Sequence, residues 1–312
     1  MSVAVFSGDA VRAAVAPQTA YDAVRDAFVR FHRGEWTMPP KVYVTNYPAG
    51  DFRAMPALGG GHALLKWVTS FPGNPARGLP TVSGLVLLSN AETGELLAIL
   101  DAAAVTALRT AAAGVLAAET LGRADSGSVG VVGCGVNGLE TVRMLGARGH
   151  TPLVWDVDER RRLAAVDATG AVAADSLDQV LACDRVITVT PGASVLFAAD
   201  SLRPGQHVSL MGADGPGKAE IALDELLRGL LFCDDWEQAS HGGELAAAVA
   251  AGRLERPTVT ELGAVLADGA PGRSGDDEIT LFDSTGLAIQ DLAIAAAAVA
   301  GVERSALPEL RL

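Results

Sequence analysis

Apolar positions along this chain change their period twice. In "APQTAYDAVRDAFVRFHRGE", Val24, Phe28 and Phe31 recur at i, i+4 and i+7 with charges between them. That stripe marks an amphipathic helix, and the first 35 or so residues read as helical. "MPPKVYVTNY" alternates at Val42 and Val44 behind two prolines, a strand entered from a rigid turn. "DFRAMPALGGGHALLKWVTSFPGNPARGLP" is dense in glycine and proline, so loops with short strands between them are expected. "TVSGLVLLSN" and "GELLAILDA", joined by "AETG", read as a β-hairpin. An alanine-rich helix follows in "AAAVTALRTAAAGVLAAETLG".

From residue 128 strands and helices alternate: "SVGVVG", a helix near 136–148, "TPLVWDVD", "ERRRLAAVDA", a short strand near 171–173, "SLDQVLAC", "RVITVT", "HVSLMGA", "LDELLRG" and "LLFCDD". This is the βαβ signature of a parallel sheet. "EITLFDSTGLAIQDLAIAAAAVA" then gives a strand, a turn and a long helix that is expected to return to the opening region. The fold class expected is α/β: a doubly wound, Rossmann-type parallel sheet over 116–286, and a smaller discontinuous α+β domain over 1–115 and 287–312.

Composition narrows the partners. The 312 residues carry a formal net charge of -13, so nucleic acid and anionic membrane are not expected to bind. Hydrophobic residues make up 49% and charged residues 20%, enough apolar mass for a large core. Cys134, Cys183 and Cys233 are odd in number and far apart, which points to a reducing compartment, the cytoplasm, rather than a disulfide framework. The N-terminus lacks the basic stretch of a signal peptide. The apolar segment near the C-terminus is short and interrupted by Gln290 and Asp291, as expected of a buried or interface helix. No metal site is expected, because His and carboxylate residues do not cluster at ligand spacing.

Candidate chemistry begins at "SVGVVGCGVNGLE". Gly133, Gly135 and Gly138 match G-x-G-x-x-G, with a strand before, a helix after and Asp156 beyond. Gly133 would allow the tight turn, Gly135 the approach of a pyrophosphate, and Gly138 close packing of helix on strand. Asp156 would accept from the ribose hydroxyls and repel a 2′-phosphate. NAD is therefore expected, with NADP the alternative offered by Arg160 to Arg162. Lys66 lies among apolar neighbours in "ALLKWVTS", either snorkelling or aimed at an anion. Arg109 sits in a helix of small residues. Asp214 lies in a loop after a strand of the sheet, where ligands bind in open parallel sheets. Taken singly these residues have plainer readings: Asp214 as a turn former, Lys218 and Glu220 as a solvated pair.

Eight segments resemble the ornithine cyclodeaminase/μ-crystallin family, in order and over nearly the whole chain: "MPPKVYV", "GDFRAMPA", "LKWVTSFPGNPARGLPTV", "ETGELLAILDA", "TALRTAAAG", "GADGPGKAEI", "DDWEQASHGGEL" and "DEITLFDSTGLAIQD". The resemblance leans towards the alanine dehydrogenase branch. Members that cyclise ornithine carry a glutamate two residues before the "MP"; here Arg53 stands there, a charge suited to a carboxylate. The resemblance implies that Lys41, Arg53, Lys66 and Arg109 form a cationic cluster for the substrate carboxylate, with Lys66 and Asp214 catalytic and Asp214 the acid/base. It implies cofactor contacts at Thr81, Arg109, Thr110, Val136, Asn137, Asp156, Thr190, Met211, Gly212, Lys218 and Ser284, beside the three loop glycines. It implies a homodimer built on the first domain's sheet. The reaction expected is interconversion of a small L-amino acid with its 2-oxo or imino acid by an NAD(H)-dependent oxidoreductase. The alternatives are an ornithine cyclodeaminase, a reductase of iminosuccinate or a cyclic ketimine, and a non-catalytic μ-crystallin-like binding protein.

Overall fold

The alternation after residue 128 folds into one all-parallel sheet, and the earlier strands build a second, mixed one. The computed structural model describes residues 2–125, 127–213, 215 and 217–311. In chain order the elements are β1 (Ser2–Phe6), α1 (Gly8–Ala14), α2 (Pro17–His32), β2 (Val42–Asn46), β3 (Gly50–Gly59), β4 (His62–Ser70), β5 (Val82–Asn90), β6 (Leu96–Asp101) and α3 (Ala102–Leu121). Then come β7 (Val129–Val132), α4 (Val136–Ala147), β8 (Leu153–Trp155), α5 (Glu159–Thr169), β9 (Val172–Ala173), α6 (Leu177–Leu181), β10 (Arg185–Thr188), β11 (His207–Leu210), α7 (Leu223–Leu226) and β12 (Leu230–Cys233). The chain closes with α8 (Trp236–Gly242), α9 (Ala246–Ala250), β13 (Val259–Glu261), α10 (Leu262–Leu266), β14 (Thr280–Asp283), α11 (Ala288–Gly301) and β15 (Glu309–Arg311). Two compact units result: Met1–Arg109 with Leu287–Leu312, and Thr110–Gly286.

The first unit carries a seven-stranded sheet in the order β15-β1-β6-β5-β4-β3-β2. Its inner face, with Met55, Ala57, Leu64, Val68, Val86 and Leu88, is buried. Helix α11 lies against β3, β4 and β5, and α2 against α11. Val24 and Phe28 of α2 are buried, as the stripe requires, whereas Phe31 is half-buried. Each large side chain removed from water contributes about 1.5–3 kcal/mol.

Two expectations fail in this unit. Residues 2–6 are a strand, paired parallel to β6 and antiparallel to β15. Its partners, β6 and β15, are distant in the chain, and local periodicity cannot show them. The glycine- and proline-rich stretch holds a long hairpin, β3–β4, with nine paired positions from Asp51↔Ser70 to Gly59↔His62. Gly60 and Gly61 both take positive φ and form its two-residue turn. Pro56 lies past the end of β2 pairing at Ala54, an edge position that tolerates the missing N–H.

The second unit is an eight-stranded parallel sheet in the order β13-β12-β14-β11-β10-β7-β8-β9. Strands β7, β10, β11 and β14 are buried at every residue, as strands covered on both faces must be. His207, fully buried in β11, is held between Thr280 Oγ1 and Ser209 Oγ at 2.9 Å each. Burial first, then Arg273 and Arg185, pushes its pKa down to about 3. From β7 the chain winds to β8 and β9 on one side and returns to β10 and β11 on the other. The reversal opens a crevice at the carboxyl ends of β7 and β10. Helix α3 is long and apolar enough to cross a membrane, yet 78% of that stretch is buried inside the protein, as in a core helix.

Candidate active site

At the end of β7 the chain turns on Gly133, whose φ of 103 belongs to glycine. A methyl on Gly138 would stand 1.8 Å from the carbonyl oxygen of Gly133, so helix α4 and the turn touch through bare backbone. Around Gly135 the space is open: a methyl there meets no atom within 4 Å. No side chain caps α4. An uncapped helix start beside open space suits an anion such as a pyrophosphate. Asp156 follows β8. Its Oδ2 accepts from the Cys134 N–H at 2.7 Å and its Oδ1 from the Asp158 N–H at 2.8 Å, which latches it to the loop. Cys134 is pushed up to about 11 by burial and then by Asp156, so its thiol stays protonated.

Glu220 organises the loops after β10 and β11. It is fully buried, not a solvated partner of Lys218. Thr188 and Thr190 donate to its two oxygens at 2.5 Å each, and the Gly212 N–H donates at 3.0 Å. Burial raises its pKa while these donors oppose the rise. Its own N–H donates to Glu244 at 2.7 Å. Ser284, buried after β14, donates to Asp234 at 3.1 Å. Met211 and Lys218 are half-buried, and Val136 is exposed at the start of α4. Thr110 Oγ1 is buried with no hydrogen-bond partner among the described residues. Asp214 lies outside the described residues.

In the first unit, inward alternation on β4 carries Lys66 to the buried face between Leu64 and Val68. Its side chain is 2% exposed, and its Nζ donates to Asp291 Oδ1 at 2.9 Å. Arg109 Nε stands 3.8 Å from the same oxygen, and Arg109 donates to Gln290 Oε1 at 3.4 Å. Two cations thus share one carboxylate, leaving one positive charge in excess. Burial lowers the Lys66 pKa to about 8, with Asp291 opposing and Arg109 and Arg53 assisting. Arg53 is occupied: it donates to Asp51 at 2.6 and 3.3 Å and lies over the Tyr43 ring. Lys41 is half-buried before β2, and Thr81 is exposed before β5.

A model of the ornithine cyclodeaminase/mu-crystallin family matches residues 4–303. The chain belongs to that family. The alanine dehydrogenase of Archaeoglobus fulgidus is 40% identical over 303 residues, 95% of this chain and 94% of its own. The structure of an archaeal alanine dehydrogenase dimer with bound NAD matches with a TM-score of 0.93 and 38% identity, covering 100% of this chain and 99% of that one. The iminosuccinate reductase of Paracoccus denitrificans in complex with NAD+ matches at 0.89 and 26% identity, covering 100% of both chains.

For this family member, sequence reasoning singles out Lys66 and Arg109, and the structure brings both to one carboxylate. It misses Asp291 and Gln290, which the structure places against these two cations. Their signal was present: two polar residues within an otherwise apolar helix. It also misses Glu220 as the residue that ties Thr190 and Gly212 together.

Proposed function

We propose that this protein is an NAD(H)-dependent oxidoreductase of the alanine dehydrogenase kind, interconverting a small L-amino acid with its 2-oxo or imino acid. The observation that carries the substrate side is the buried Lys66–Arg109 pair with one carboxylate between two cations. A site with one surplus positive charge takes a monocarboxylate. A dicarboxylate needs a second anchor, and Arg53 already holds Asp51. The relatives named above as alanine dehydrogenases support the same choice.

The glycine loop and Asp156 suit NAD: open space at Gly135 for the phosphates, and an acid for the ribose. Arg160 and Arg161 are mostly exposed, lean on Asp158, and offer the NADP alternative. When bound, the nicotinamide supplies or accepts the hydride. The chain's own part is to grip the carboxylate with Lys66 and Arg109 and so fix the α-carbon, which lowers the barrier by positioning. Asp214 holds or releases the proton at the substrate nitrogen. Three buried free cysteines suit a reducing cytoplasm.

The second copy in a homodimer would cover the outer face of the first unit's sheet. Pro56, Leu65, Leu87 and Ile99 stand side by side across β3, β4, β5 and β6. Trp67 and Leu85 sit in the next row, 43% and 51% exposed. A contiguous apolar face of this kind marks an interface.

The test is NADH oxidation with pyruvate and ammonium, beside oxaloacetate, glyoxylate, a cyclic imine, methylamine, and ornithine with NAD. Pyruvate with ammonium is expected to give the highest kcat/KM. Ammonia release from ornithine without net NADH, or no turnover across the set, overturns the reading. Asp214→Asn should keep NADH binding and lose turnover by roughly 10²–10⁴-fold; normal turnover removes its acid/base role.

A further inference from the structure

Asp291 is a fully buried acid in a helix that is apolar but for Gln290 beside it. An isolated carboxylate there would be costly, and it persists only where cations meet it. Lys66 reaches it from β4 and Arg109 from α3. The other charges facing the lysine are Arg53 and its partner Asp51 on β3; the neighbour on β5 is Val86. Gln290, one residue earlier on α11, takes Arg109 on its Oε1 and also accepts from the Leu287 N–H at 3.3 Å.

The pairing leaves donors over. Arg109 Nε and Gln290 Nε2 are buried with no hydrogen bond among the described residues, and so is Asp291 Oδ2. Lys66 Nζ has three hydrogens and, among the described residues, one acceptor, Asp291. A buried polar group without a partner is costly, so a purely structural ion pair would not leave several. The spare capacity is mostly donors, which suits an anion.

We propose that Asp291 is the positioning residue of the Lys66–Arg109 pair: its one carboxylate keeps the lysine charged and aims both cations, so that their unused donors meet the substrate's carboxylate. The inference rests on the function proposed above for where that carboxylate binds. Asp291 itself touches no reacting atom. Without it, burial first and then Arg109 and Arg53 would push the neighbouring ammonium towards its neutral form, and the grip would weaken.

The chain has only three lysines, Lys41, Lys66 and Lys218, so the full-length protein labelled with 13C at lysine Cε gives three signals. Lys41→Arg and Lys218→Arg assign them. Lys66 is expected to titrate at about 8. In Asp291→Asn its titration should fall by roughly one to three pH units, since an opposite charge at contact has been removed. Asp291→Glu should restore part of that. Arg109→Gln should move it upward, because a like charge is gone and the carboxylate is no longer shared. The basic limb of the kcat/KM profile for pyruvate should follow the Lys66 signal, with KM rising at neutral pH.

An unmoved Lys66 signal in both Asp291→Asn and Arg109→Gln overturns the proposal, even if thermal stability drops. Should Asp291→Asn fail to fold, Arg109→Gln alone decides by its direction. A Lys66 signal that moves as expected with an unchanged KM leaves the positioning role standing and overturns the assignment of Lys66 to the substrate carboxylate.

Discussion

At Gly138 and Gly135 the same substitution should have opposite consequences. A Cβ at Gly138 strikes the carbonyl oxygen of Gly133, which is backbone and has nowhere to go. Gly138→Ala should cost roughly 3 kcal/mol or more, a thermal midpoint lower by at least about 6 °C. A Cβ at Gly135 meets nothing, and its φ of -72 suits alanine. Gly135→Ala should leave the thermal midpoint in place and weaken NADH about tenfold, about 1.4 kcal/mol, in a fluorescence titration. Unchanged binding would place the phosphates elsewhere. These glycines are legible in sequence because their spacing encodes backbone geometry. Asp291 stands out only as a polar break in an apolar helix, and its role and that of Glu220 are not legible, because they depend on Lys66 and Thr190, 225 and 30 residues away.

At the scale of elements, the buried acids after β11 and β12 and at the end of β14 set a pH dependence. Glu244 is 4% exposed; one oxygen takes the Glu220 N–H and the other has no partner among the described residues. Burial, helped by the Glu220 charge and opposed by backbone N–H donors, pushes its pKa up to about 8. An unfolded glutamate releases its proton near 4.3. Between these values the folded state binds more protons than the unfolded one, so this contribution is full below the lower value and is lost as pH rises to the upper. Glu244→Gln imitates the protonated form. Its thermal midpoint should match the parent's near pH 5 and exceed it increasingly towards pH 8.5, by an amount worth a few kcal/mol at most. A constant offset across pH would show that Glu244 is ionised throughout. The elements themselves divide by the source of their order. Parallel strands such as β7 and β10 are apolar runs that announce themselves. By contrast, β1 becomes a strand because β6 and β15 flank it, and β15 because it finds β1 across the length of the chain. The β3–β4 hairpin was hidden by its glycines, which mark a tight turn between long strands as readily as a loop.

For the whole molecule, the outer face of the seven-stranded sheet is where the proposed dimer is tested. A sheet facing water on one side normally alternates apolar and polar residues. Here Leu64, Lys66 and Val68 point in, while Leu65 and Trp67, which point out, are apolar too rather than polar. The pattern repeats at Leu85 and Leu87 on β5. Register aligns these residues across strands, so the exposed apolar area is one continuous patch rather than scattered points. Covering it with a second copy returns about 25 cal/mol for each Å² of apolar surface. Leu65→Glu sets a charge in the middle of the row, next to Pro56 and Leu87, and costs the isolated unit little because the side chain is already 39% exposed. Sedimentation equilibrium should find the parent protein a dimer and Leu65→Glu a monomer with the same far-ultraviolet circular dichroism. A dimer that survives both Leu65→Glu and Leu85→Glu would mean that this face is covered by something other than its own copy.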